Sequence, residues 1–376
     1  MIKIFRNAII TRLLLLLFFL TGCSNQEKKD TILTTIEINP NAPTSELSSL
    51  PELSINSIVS LETNDSSLFG NLNSVEYFKG KYYLLDIFSS KAVLVFNTDG
   101  TYVNKTVLGK GPNEMINPFA LFIDETNKEV LVWDQTLKML FKFNLDLQFK
   151  SKERYDKPTV LEFAKLKNDD FLVRSHFDQD FAFSHYNSDF NDVKNKLIED
   201  FKYPGSQGLS RSISFNQSDT LLISSYDYNV YKYNNGQAKS NYFLDFGNFN
   251  IEKTDVQKKG MQGVWQQVAK GDKVTAPNEI AVGDDLFLFH IYHKGNPVYY
   301  VISLDNGDIL RINDYFDNQV LPNCKIRGVT NQNTFFALVD PIDLLEFQEN
   351  SGVTLVQGTI NLQDNPYLIT FNISKI

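Results

Sequence analysis

One motif recurs along the chain and constrains its fold more than any other feature. It is an apolar strand that ends in an aromatic residue followed by Asn, or a close variant. The copies occupy residues 92–97, 139–144, 181–187, 229–234, 298–305 and 367–372. Three of them run on into Asn97-Thr-Asp-Gly100, Asn234-Asn-Gly236 and Asp305-Asn-Gly307, residue types that tolerate the positive φ of tight hairpins. A second apolar strand precedes each copy, at 82–86, 130–134, 171–175, 221–224, 286–290 and 335–340. Short polar turns such as Lys79-Gly-Lys81 and Asn168-Asp-Asp170 lead into these strands, and a further apolar stretch lies before each turn, as at 75–78, 119–123 and 161–166. The repeating unit therefore reads strand, turn, strand, loop, strand, turn, strand.

The markers stand 47, 43, 47, 71 and 67 residues apart. The first three spacings are those of single propeller blades. The last two predict insertions, at 247–277 and 341–365. Six such units predict an all-β fold, a six-bladed β-propeller of four-stranded antiparallel blades over residues 53–376. The 30 Phe and 17 Tyr suit pleated, half-buried surfaces. A sandwich or a pair of barrels has no need of six near-equal copies. The sixth unit ends at Ile376 without a fourth strand, and residues 55–61 belong to no unit. Adding this N-terminal strand to the last blade would close the ring and remove its free edges.

The start of the chain carries a different signal. Lys3, Arg6 and Arg12 precede the apolar run of residues 13–20, and Leu20-Thr-Gly-Cys23 follows. This order describes a secretory signal peptide, and the apolar run is shorter than the ~20 residues of a membrane span. The alternative, an uncut signal anchor, is opposed by the polarity that begins at Thr21. Leu-Thr-Gly-Cys matches the bacterial lipoprotein signal, which predicts removal of residues 1–22 and acylation of Cys23. Residues 23–52, rich in Ser, Thr, Asn and Glu and broken by Pro40, Pro43 and Pro51, read as a flexible tether reaching on the order of 30 Å. The only other cysteine is Cys324, so no disulfide is expected and Cys324 reads as a small core residue. Loss of the signal moves the formal charge from −9 to −12. Such a balance argues against charge-driven binding of nucleic acid or anionic lipid.

The lipoprotein signal, the six degenerate blades, Leu108-Gly-Lys-Gly-Pro-Asn-Glu114 and Asp364-Asn-Pro-Tyr367 together resemble the six-bladed β-propeller lipoproteins of Bacteroidota, distant relatives of the NHL-repeat propellers. The resemblance covers roughly residues 53–376. It implies the propeller fold and an envelope location, and Ser24 after the cysteine implies the outer membrane, with the side left open. It implies no catalytic residues.

In such blades the ends of the second strands share one face with the loops between blades. Asp86, Asp134, Ser175, Ser224, His290 and Asp340 occupy those ends. A polar ring at a channel mouth is what a small-molecule site needs, which makes Asp86, Asp134, His290 and Asp340 the candidate ligand-binding residues. The competing reading is structural, because Asp at such a position accepts hydrogen bonds from the loop that follows. Both insertions fall on this face, either as a partial lid or as packing. His290 and His293 would face opposite ways on a strand; His176 and His185 lie in one blade without cysteine ligands; and Gly109-Lys-Gly111 lacks the phosphate-loop pattern. No metal or other cofactor is expected. The sequence thus predicts a monomeric binding or scaffold module for a glycan, peptide or protein, attached to the membrane only through its lipid. The alternative is a lyase or hydrolase with an acid–base site at the channel mouth, which fold alone does not decide.

Overall fold

The computed structural model describes residues 33–374 apart from 156–159, 176–179, 191, 200–210, 217, 218 and 331. Residues 1–22, expected as a signal peptide, and Cys23 and His176 lie outside the described residues. The rest forms six sheets, each built on four consecutive antiparallel strands or their equivalent. Blade 1 runs Leu72–Phe78, Lys81–Asp86, Ala92–Asn97 and Tyr102–Lys105 from the channel outward. Blades 2 to 5 repeat this order from innermost strands Pro118–Asp124, Val160–Lys165, Ile213–Phe215 and Glu279–Val282. Blade 6 has Lys325–Val329, Phe335–Val339 and Tyr367–Ile373. Its fourth strand is Leu53–Ser60, which pairs antiparallel with Tyr367–Ile373 from Leu53↔Ile373 to Ser60↔Tyr367. The ring closes as the orphan N-terminal strand requires.

One apolar layer fills each space between neighbouring blades. Tyr83, Leu85, Val93 and Val95 of blade 1 meet Val130, Val132 and Phe141 of blade 2. The sixth layer joins Val75, Tyr82 and Phe96 of blade 1 to Phe336, Leu338 and Leu368 of blade 6. Alternation along each strand supplies both layers, since successive side chains point to opposite faces. This explains why the middle strands read as continuous apolar runs: they are buried on both sides. Cys324 sits in the layer between blades 5 and 6, and burial pushes its thiol pKa up, as befits an inert core residue.

The stretch expected to be a free tether shortens in the structure. Thr34–Glu37 adds a fifth, parallel strand to blade 4, in register from Thr34↔Tyr242 to Glu37↔Asp245. Ile36 and Ile38 are buried against blades 4 and 5. Beyond them Asn41 Oδ1 lies 3.1 Å from His293 Nε2, the Ala42 carbonyl accepts from Arg311 at 2.9 Å, and the Pro51 carbonyl accepts from the Tyr315 hydroxyl at 2.7 Å. The physical cause is local. Ile36 and Ile38 alternate with polar residues, a strand pattern inside a composition that otherwise reads as coil.

Helix α1 (Lys253–Lys270) occupies the first insertion, α2 (Asn313–Asp317) follows blade 5, and α3 (Pro341–Ser351) opens the second insertion. Helix α1 breaks at Gly260, where φ is 64° and ψ 175°, and buries Val256, Val264 and Val268 against Tyr226 and Ile251. Helix α3 begins with Pro341 at its first turn and buries Leu344 and Phe347. Both insertions thus bury apolar side chains on the ring, as the packing alternative supposed.

Candidate functional site

The predicted polar ring divides into separate structural tasks. Asp86 is fully buried at the end of its strand. Its carboxylate accepts from the backbone N–H groups of Gly70, Phe88, Ser89 and Ser90 at 2.8–3.0 Å. Burial opposes ionisation, yet these four donors outweigh it and hold the carboxyl below its ordinary range. Asp134 makes the matching bonds in blade 2, accepting from the backbone N–H groups of Ile116, Asn117, Thr136 and Leu137 at 2.6–2.9 Å. In these two blades one carboxylate ties the incoming inter-blade loop to the outgoing loop within the blade. Asp340 precedes α3 and pairs with Lys325 at 2.9 Å.

His290 is not at a strand end. Its strand continues to His293 and turns through Lys294-Gly295, with φ of 52° and 79°. His290 therefore lies inside the ring, with Nε2 3.2 Å from Asn278 Nδ2. Burial first, and then Arg327, lowers its pKa to about 3, so it is neutral near pH 7. Its Nδ1 is 4.0 Å from Glu279 Oε2, too far for a hydrogen bond. Among the described residues no hydrogen bond or ion pair joins any two of Asp86, Asp134, His290 and Asp340.

The channel itself carries a feature that the strand-end reasoning missed. Innermost strands place Glu76 from blade 1, Glu162 from blade 3, Glu279 from blade 5 and Arg327 from blade 6, and Arg211 lies just before blade 4. Local bulges contribute: the innermost strands of blades 1, 2, 3 and 6 each shift register near their start, and such a bulge re-aims side chains. Arg211 directs Nη2 to the Val75 carbonyl and, at 2.7 Å, to Glu76 Oε1. Glu162 accepts from Ser212 N–H at 2.7 Å, Ser212 Oγ at 2.5 Å and Ile213 N–H at 3.0 Å. Glu279 Oε2 is 3.7 Å from Arg327, while Glu279 Oε1 and Arg327 Nε are buried without a hydrogen-bond partner among the described residues. Burial holds the Glu76 and Glu279 carboxyls above the ordinary range, with Arg211 opposing at Glu76 and Arg327 at Glu279. The sequence signal was present: a charged residue inside each of the stretches Val-Glu-Tyr, Leu-Glu-Phe, Asn-Glu-Ile and Ile-Arg-Gly, where a strand packed on both sides calls for apolar ones.

Above this floor lies a cavity of about 520 Å³. Glu76, Glu162 and Arg211 line it, and they also line a far smaller void beyond. Its rim includes Lys79, Glu125 and Thr334 at the turns between first and second strands. The cavity therefore opens on the face opposite Asp86 and Asp134. Its walls hold two aromatic groups. Phe122 stands 6.1 Å from Phe163 and 5.7 Å from Phe215; Tyr77 stands 4.9 Å from Tyr82 and 6.4 Å from Phe336.

Known proteins share this architecture. A family model described as "Domain of unknown function (DUF4934)" matches residues 33–372. A Bacteroides fragilis protein described as exported superposes with a TM-score of 0.75 at 18% identity, over 91% of this chain and all of the other. A member of the DUF4221 family from Bacteroides vulgatus gives 0.53 at 12% identity, over 87% and 100%. No functionally curated protein matches the chain.

Asp86→Ala strands four backbone donors, so it should cost about 2–3 kcal/mol in urea unfolding at pH 7; an unchanged midpoint would return Asp86 to the ligand-binding candidates. The Asp86 carboxyl titrates lower folded than unfolded, so this contribution is present above the ordinary carboxylate range and fades as the pH falls through the folded value. His290 has the same sign of linkage, at a higher pH. It stays neutral folded but takes a proton when unfolded below ~6.5, so it withdraws stability as the pH falls from there towards the folded value. Between pH 6.5 and 5 the native chain should lose roughly 2 kcal/mol more than His290→Gln; equal losses would place His290 in a solvated site.

Proposed function

We propose that this chain, which belongs to the DUF4934 family, is an exported, lipid-anchored binding module that takes its ligand in the central cavity on the turn face. The carrying observation is the cavity itself, with aromatic walls and the Glu76–Arg211 ion pair at its floor. Its volume lies within the ~300–1,000 Å³ of small-ligand pockets, which combine apolar walls with a few convergent polar groups. The Asp86 and Asp134 mouth offers nothing comparable, because its carboxylates are consumed by backbone donors. Export is supported by the description of the Bacteroides fragilis structural relative and by the charged, apolar and Leu-Thr-Gly-Cys23 sequence at the start of the chain. With acylated Cys23 as the anchor, residues 24–33 are left as the link to the first described strand, about 35 Å at full extension.

Thr334 reaches the cavity rim and is half-buried. Thr334→Trp should fill the mouth while preserving the fold. Thermal shifts produced by oligosaccharide or short-peptide libraries should vanish in this variant; shifts that persist at full size would put the site elsewhere. Cys23→Ser should move the protein from the membrane fraction to the soluble one. A variant that stays with the membrane would remove the lipid anchor from the reading.

A further inference from the structure

We infer that the group this cavity takes is an uncharged sugar unit, held at its edge by Glu76 and Arg211 between two aromatic walls; the inference rests on the cavity being the binding site. The first argument is charge. At the rim Lys79 faces Glu125, whose carboxyl is raised by burial and opposed by that lysine. On the floor Arg211 pairs with Glu76. Both oxygens of Glu162 are already taken by Ser212 and Ile213. Glu162 keeps its charge all the same, so Glu76, Glu125 and Glu162 stand against Lys79 and Arg211 with one negative charge in excess, and an anionic ligand would meet repulsion on top of its desolvation cost.

The second argument is hydrogen-bonding capacity. Only Oε1 of Glu76 is bonded and only Nη2 of Arg211 donates, among the described residues. The Glu76 side chain is half-buried, 31% accessible, and lines the cavity. A free acceptor and free donors thus stand next to each other at a low-dielectric floor. Adjacent hydroxyls, each able to donate and accept, satisfy that pair without changing its charge. The raised carboxyl of Glu76 gains most from a ligand that donates to it.

The third argument is shape. The Phe122 group comes from blades 2 to 4 and the Tyr77 group from blades 1 and 6, so rings flank the cavity from opposite sides. Phe215 is 37% exposed, a ring left uncovered by the protein. The negative face of an aromatic ring attracts the polarised C–H bonds of a pyranose. Hydroxyls at the edge and C–H groups on the faces are what a sugar ring presents to such walls.

Isothermal titration of the purified protein with neutral oligosaccharides of glucose, mannose, galactose and xylose tests this. Uronic-acid oligosaccharides, di-lysine and a phenylalanine dipeptide serve as the contrasting probes. A neutral sugar should bind at least tenfold more tightly than any contrasting probe, and Thr334→Trp should abolish it. Glu76→Gln should weaken it by tenfold or more. Phe215→Ala, which removes an exposed ring and spares the core, should do likewise and covers the case in which Glu76→Gln does not fold. Sugar binding unchanged in both variants would overturn the inference. If a charged or peptide probe binds in a Thr334→Trp-sensitive way and no neutral sugar does, the sugar falls and the cavity stands. If no probe shows Thr334→Trp-sensitive binding, both fall.

Discussion

Closure of the ring by the pairing of Leu53–Ser60 with Tyr367–Ile373 is the constraint on which everything else depends. A propeller blade cannot bury its two faces alone. Each needs a neighbour on either side, and only a closed circle gives every blade two. The last layer, between blades 6 and 1, exists because a strand from the start of the chain completes the blade made by its end. The channel owes its geometry to the same closure. Six innermost strands are held around one axis, and side chains far apart in sequence, such as Glu76, Arg211 and Glu279, are brought into one electrostatic neighbourhood.

That neighbourhood is costly to maintain. Charges enclosed by protein lose their hydration, and their mutual attraction compensates only where the geometry is good. Glu162 is well served by backbone and hydroxyl donors, whereas Glu279 and Arg327 stand 3.7 Å apart with an oxygen and a nitrogen unpartnered among the described residues. A fold selected for stability alone would place apolar residues there. Of these charged groups only Glu76, Glu162 and Arg211 line the cavity; the open atoms of Glu279 and Arg327 are enclosed by the ring.

The architecture was legible in the sequence because it is repetitive and because its signals are local. Residues 92–97 and 367–372 announce their strands by alternation and by the turns around them, and the spacing of six such copies sets the blade count. Closure was legible by elimination, from a strand without a unit and a unit without a strand. The site was less so. Asp86 and Asp134 drew notice because their register repeats, yet repetition here reflects a repeated loop-holding task. His290 was misplaced because Lys294-Gly295 was not read as a hairpin turn, which hid three more residues of strand. Arg211 lies two residues before the strand Ile213–Phe215 and was read as part of the loop between blades, so only the three-dimensional ring brings it to Glu76. The strand at Thr34–Glu37 was lost in the polar composition around it, although Ile36 and Ile38 mark its buried face.

That strand also sets how the ring would bear a load. From Thr34 to Ser60 the chain passes along blade 4, over blade 5 and into blade 6, tied at Ile38, Asn41, Ala42 and Pro51. A pull on residue 33 would first meet the parallel ladder on blade 4, and then side-chain contacts on blade 5. The closing strand would be reached only after these had yielded. The strap is thus a strain relief: tension on the N-terminal side is spent in shearing contacts at the rim, upstream of the seam whose opening would unmake the circle.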